Sequence, residues 1–86
     1  MNKVFFPEAE EYRQKIGLSI AKLSKLSEVD PKIITLLESG GEIEEIDFVK
    51  IATALNKILR EKKEPLIDID FIINVMDQDE NDAIFF

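Results

Sequence analysis

The sequence predicts an all-α domain of four to five short helices, and three observations carry that prediction. Apolar residues recur three and four apart, most cleanly at Phe48, Ile51, Ala52, Leu55, Ile58 and Leu59, the spacing of one buried helix face. Helix start and stop signals punctuate the chain, with Ser19, Asp30-Pro31 and Asp47 as starts and Gly40-Gly41 and Glu64-Pro65 as stops. The chain has 86 residues, enough for one domain with a modest helical core.

Each element follows from local chemistry. Met1 to Phe6 form a leader, and Phe5 and Phe6 read either as a lid stapled onto the core or as an arm that packs on a second subunit. Pro7 opens the first helix, where Glu8, Glu10 and Glu11 suit the positive end of the dipole, and Ala9, Tyr12 and Ile16 mark one face. Ser19 caps the second helix, which carries Leu18, Ala21, Leu23 and Leu26 as its small and apolar groups, while the hydroxyl of Ser24 can bond back to its own helix. Asp30 caps the third helix, Pro31 takes its first position, Ile34 and Leu37 share a face, and Gly40 and Gly41 stop it. Two short helices with so tight a turn make a helix-turn-helix unit at about residues 19–40. The fourth helix starts at Asp47 and gathers Lys57, Arg60, Lys62 and Lys63 at its C-terminal end. Asp68 caps a fifth helix bearing Ile69, Ile72, Ile73 and Met76; the alternation from Ile67 to Phe71 also fits a short strand, but a lone strand has nothing to pair with. Residues 1–76 form the domain and 77–86 an acidic tail, either solvated or docked by its two phenylalanines. The tail is no calcium loop, because Asp82 stands where the sharp-turn glycine is needed.

Composition narrows the function. The chain contains neither cysteine nor histidine, which removes thiolate chemistry, the commonest metal ligand and the usual neutral-pH proton shuttle. No enzyme, metal or cofactor is therefore expected. No apolar run reaches membrane-spanning length and no signal-peptide pattern opens the chain, so a cytoplasmic binding module is the expectation. The net charge of −7 is unevenly placed: residues 1–63 balance eleven bases against eleven acids, and residues 64–86 hold seven acids and no base. Such a body predicts only a weak non-specific component to any nucleic-acid binding.

The order and spacing of Arg13, Gly17, Leu18, Ser19, Leu23, Ser24, Val29, Ile34, Leu37, Glu38 and Gly40 resemble the helix-turn-helix of the Cro/C1 repressor type, the Xre family. Asp47 to Leu55 resembles that family's fourth helix, and Ile67 to Ile73 the start of its fifth. The resemblance implies a lambda-repressor-like fold with Arg13 and Glu38 as a partly buried ion pair. Two positions depart from the pattern. Glu28 stands where glycine is usual, so the turn is either strained or rebuilt. Asn56 to Leu66 is an extension that could lengthen the fourth helix into a dimer surface.

The same resemblance implies a sequence-specific DNA-binding transcriptional regulator of repressor or antitoxin type, acting as a homodimer on double-stranded DNA, with a toxin as a possible protein partner. Ser19, Lys22 and Lys25 would hold phosphates, with Ile20 opening the second helix beside them; Lys32 and Thr35 would face base edges, and Ile33 and Leu36 would touch thymine methyls. The competing reading keeps the fold but makes it a protein-interaction module that binds no DNA, with Ile33 and Leu36 covered by protein and the acidic tail set against a basic partner.

Overall fold

The first residues pair with the middle of the chain instead of forming a free leader. The computed structural model describes residues 2–75, and among them a short strand β1 (Lys3–Val4) runs antiparallel to β2 (Ile43–Glu44), with Lys3 opposite Glu44 and Val4 opposite Ile43. Lys3 Nζ lies 2.7 Å from Glu44 Oε2, a hydrogen bond that raises the lysine pKa, and the Glu45 amide donates to the Asn2 carbonyl at 3.1 Å. The domain is mostly helical, compatible with the all-α expectation, and carries one short two-stranded ribbon among the described residues. Val4 and Ile43 are both buried, which is what makes so short a pairing worth forming.

Five helices follow among the described residues. Pro7 and Glu8 form a tight turn, so α1 (Ala9–Lys15) starts two residues later than the proline signal suggests. Then come α2 (Ile20–Ser27), α3 (Pro31–Glu38), α4 (Glu45–Glu61) and α5 at residues 69–75. Ser19 accepts the Lys22 amide, Asp30 the Lys32 amide and Asp68 the Phe71 amide, so three predicted caps make their bonds. Asp47 is not a cap: β2 leads straight into α4, Glu44 takes the extended N-cap geometry, and Asp47 sits in the first turn beside Glu45. Both α1 and α3 end through a left-handed glycine, Gly17 at φ +68° and Gly40 at φ +100°, whose successor donates back into the last turn. Helix α4 ends the same way with Lys63 at φ +59° in the glycine position.

The core gathers Leu23, Ile34 and Leu37 from α2 and α3 against Phe48, Ile51, Leu55 and Leu59 of α4. Phe6 closes one end, edge-on to Phe48 and stacked with Tyr12, which makes it the lid; Phe5 stays exposed. The extension after Leu55 is absorbed internally. Leu59 and Ile67 are buried, and the Asn56 side chain bonds the Ile67 amide at 2.7 Å and its carbonyl at 3.0 Å, folding the chain back onto α4. No helix among the described residues is long and apolar enough to cross a membrane. Met76, the acidic tail 77–86 and the boundary between domain and tail lie outside the described residues.

The turn between α2 and α3 keeps its standard path with a non-glycine residue in it. Glu28 adopts φ +61°, ψ +34°; its amide donates to the Ser24 carbonyl at 2.8 Å, and Ser24 Oγ reaches over it to the Val29 carbonyl at 2.6 Å. The serine therefore braces the turn instead of bonding its own helix. A left-handed conformation costs a side-chain-bearing residue about 1–2 kcal/mol, partly offset by the flexibility glycine adds to the unfolded chain. Glu28→Gly and Lys63→Gly are each expected to stabilise the domain by about 0.5–1 kcal/mol, seen as a higher urea midpoint at unchanged slope. A lowered midpoint in both would contradict this account of the two turns.

Candidate nucleic-acid interface

The outward faces of α2 and α3 are set by what their inward faces bury. In α3, Ile34 and Leu37 are inside, which leaves Lys32, Thr35, Leu36 and Ser39 on a shared exposed face at helical spacing. In α2, Leu23 is inside and Lys22, Lys25 and Leu26 share the exposed side. Leu26, one of the apolar groups assigned to this helix, is 52% exposed, and Ser27 is buried instead. The Ser27 hydroxyl donates to the Leu23 carbonyl at 2.7 Å, which satisfies it in the core.

Ser19 is exposed, and its oxygen accepts the Lys22 amide at 3.1 Å, leaving the hydroxyl proton able to donate outward. Ile20 and Ile33, predicted to point outward, are each half-buried against the core. Their methyl groups are mostly spent on packing, so of the apolar candidates Leu36 presents the most surface, at 46% exposure. Its side chain lies back over Gly41, where a Cβ would collide with it. Ile20 and Thr35 meet in a shallow depression of about 300 Å³ beside Arg13 and Glu38.

That depression is floored by a forked ion pair. Arg13 Nε donates to Glu38 Oε2 at 2.7 Å, a second guanidinium nitrogen donates to Oε1 at 2.9 Å, and the third donates to the Leu18 carbonyl at 2.8 Å. The side chains are only 12% and 7% exposed. Hydrogen bonding to Glu38 raises the arginine pKa against the burial that lowers it, so the guanidinium keeps its charge. One side chain thus fixes the end of α3 to α1 and to the loop that starts α2.

Comparison of the chain with family models, curated proteins and solved structures returned no match.

The site's electrostatics are local. Lys22, Lys25 and Lys32 take part in none of the three ion pairs among the described residues, which are Lys3–Glu44, Arg13–Glu38 and Lys15–Glu64. Against these three lysines the unit from 19 to 40 sets the carboxylates of Glu28 and Asp30, since Glu38 is taken by Arg13. The face is mildly positive although the chain is acidic. The Ser24 hydroxyl, expected to bond within its own helix, instead reaches forward to the Val29 carbonyl at i+5; the Ser27 hydroxyl, which reaches back to the Leu23 carbonyl at i−4, was not singled out from the sequence.

The ion pair makes a sharp stability test. Arg13→Ala leaves a carboxylate buried without its partner and is expected to destabilise by about 2–4 kcal/mol in urea unfolding. Arg13→Lys keeps the charge but cannot fork across both carboxylate oxygens, so it is expected to recover only part of the loss. An Arg13→Ala midpoint equal to that of the parent chain would show that the pair holds nothing together.

Proposed function

We propose that this domain is a sequence-specific DNA-binding transcriptional regulator of repressor or antitoxin type, built on a lambda-repressor-like helix-turn-helix fold of the Xre family. The observation that carries the reading is the braced pair α2–α3 with Lys22, Lys25, Lys32 and Thr35 exposed and no acid tied to the lysines. In this reading α3 enters the major groove, with Lys32 and Thr35 against base edges and Leu36 against a thymine methyl. Ser19, Lys22 and Lys25, with the open amides at the start of α2, sit on the phosphates. Few phosphates are neutralised, so specificity rests on fit more than on charge.

Lys32→Ala is expected to weaken binding to a duplex selected from a random-sequence pool by about 1–3 kcal/mol. With two lysines on phosphates in each protomer, the logarithm of affinity should fall with the logarithm of salt at a slope of about −2 per bound protomer. No selected duplex, and no binding at low salt, would end this reading. The second reading, a protein-interaction module, would then stand on Leu36, whose 46% exposure on α3 is unusual for a face that meets only phosphate and bases.

Dimerisation belongs to the same proposal, with its grounds moved from the extension to what remains uncovered. Leu59 is used inside the monomer, whereas Leu66 and Phe71 stay 41% and 64% exposed where the chain turns back into α5. A twofold pairing through α5 and the adjoining end of α4 would set two copies of α3 about one DNA turn, roughly 34 Å, apart. Light scattering is expected to give twice the chain mass for the parent and the chain mass for Phe71→Glu. A parent chain that scatters as a monomer at high concentration removes the palindromic operator from the proposal.

A further inference from the structure

A second charged feature lies away from α3. A groove of about 700 Å³ runs between the last turn of α2 and the outward side of α4 and ends at Ile69, where α5 begins. Leu26, Ala54 and Ile69 supply apolar wall, and Lys50, Lys57 and Arg60 stand along it at helical spacing. Among the described residues no carboxylate lines it, and none of its three cations belongs to an ion pair. In a chain of net charge −7 this is an unusual local balance. Cations beside an apolar wall select a peptide that carries carboxylates and large apolar groups together.

The chain contains such a peptide. Residues 77–86 read Asp-Gln-Asp-Glu-Asn-Asp-Ala-Ile-Phe-Phe, four carboxylates followed by three large apolar side chains. We propose that this segment seats in the groove of its own chain, with its carboxylates against Lys50, Lys57 and Arg60 and Phe85 and Phe86 against Leu26, Ala54 and Ile69. Reach permits it. Helix α5 starts at the groove and carries the chain only about 10 Å along its axis over residues 69–75, at about 1.5 Å per residue. The eleven residues that follow span up to about 35 Å when extended, so they can return. Tethering favours the chain's own segment over that of a second copy, because a short linker holds it at millimolar effective concentration. The segment's charge is then kept at α4, and a foreign acidic peptide would have to displace it.

The chain lacks cysteine, so a single introduced thiol can be spin-labelled uniquely in the full-length protein. A nitroxide at Glu61→Cys, next to the groove but not lining it, is expected to erase most of the amide signal intensity of residues 82–86. The same label at Thr35→Cys, on α3, is expected to leave those signals intact. Phe85→Ser with Phe86→Ser, which leaves the groove untouched, should restore them, as should Lys57→Glu with Arg60→Glu; the amide spectrum of the core reports whether each variant is folded. Equal loss from both labels, loss from the Thr35 label alone, or loss from neither overturns the proposal. So does loss in a mixture of labelled and isotopically marked chains, which would assign the groove to a second copy. No DNA enters the experiment, so its outcome does not depend on DNA binding, and Phe71→Glu as the background keeps it free of the proposed dimer contact.

Discussion

One guanidinium sets the relative positions of three pieces of this chain. Arg13 leaves α1, forks onto the carboxylate of Glu38 at the end of α3, and turns its remaining nitrogen to the Leu18 carbonyl just before α2. Hydrophobic contacts among Leu23, Ile34 and Leu37 are non-directional and would tolerate small rotations of α3 about its axis. The forked pair does not, because both oxygens and the carbonyl must be met at once. Whatever α3 presents to solvent is therefore presented at a fixed angle. The pairing also explains how two charges can be so thoroughly covered in a domain this small: every guanidinium nitrogen is engaged, and no buried side-chain polar atom among the described residues lacks a partner.

Much of this was legible in the sequence, because it is local chemistry. Ser19, Asp30 and Asp68 bond the amides their spacing implies, and the three- and four-residue rhythm of α4 picks out Phe48, Ile51, Ala52, Leu55 and Leu59, all buried. The ribbon was not legible. Two residues have no measurable periodicity, and the partner of Val4 lies 39 positions away at Ile43. Missing it also displaced the start of α4, since Asp47 looks like a cap only if nothing regular precedes it. The exchange of Leu26 for Ser27 has a different origin. Both positions fall within the apolar arc of an eight-residue helix that buries Leu23, three and four residues on. Which of them turns inward depends on the neighbouring helix, and a serine can go in only because its hydroxyl reaches the Leu23 carbonyl.

Of the candidate site, the exposure of the polar groups was legible and the half-burial of the apolar ones was not. Lys22, Lys25, Lys32 and Thr35 are exposed as their positions on short amphipathic helices require. Ile20 and Ile33 are drawn half inside because α1 is brief and leaves part of the core to be closed by whatever stands next to it. A seven-residue helix cannot cover two others. The edges of α2 and α3 then do some of the packing, and the outward surface available for recognition shrinks to polar groups and Leu36.

Helix α2 is shared between two faces, which raises the question of whether they communicate. Lys22 and Lys25 belong to the side that would meet phosphate, and Leu26 and Ser27, one turn on, line the groove against α4. Coupling would need the end of α2 to have two arrangements that an occupant of the groove could bias. The local bonding argues against a second arrangement. Glu28 is held left-handed by the Ser24 carbonyl, the Ser24 hydroxyl spans to the Val29 carbonyl, and Val29 itself is buried. Moving that turn would break both hydrogen bonds and expose an apolar side chain together. The two faces are thus mechanically independent, and what passes between them is charge through space, which salt screens over about 10 Å at 0.1 M. A rigid helix with a ligand on each side acts as a scaffold, not a switch.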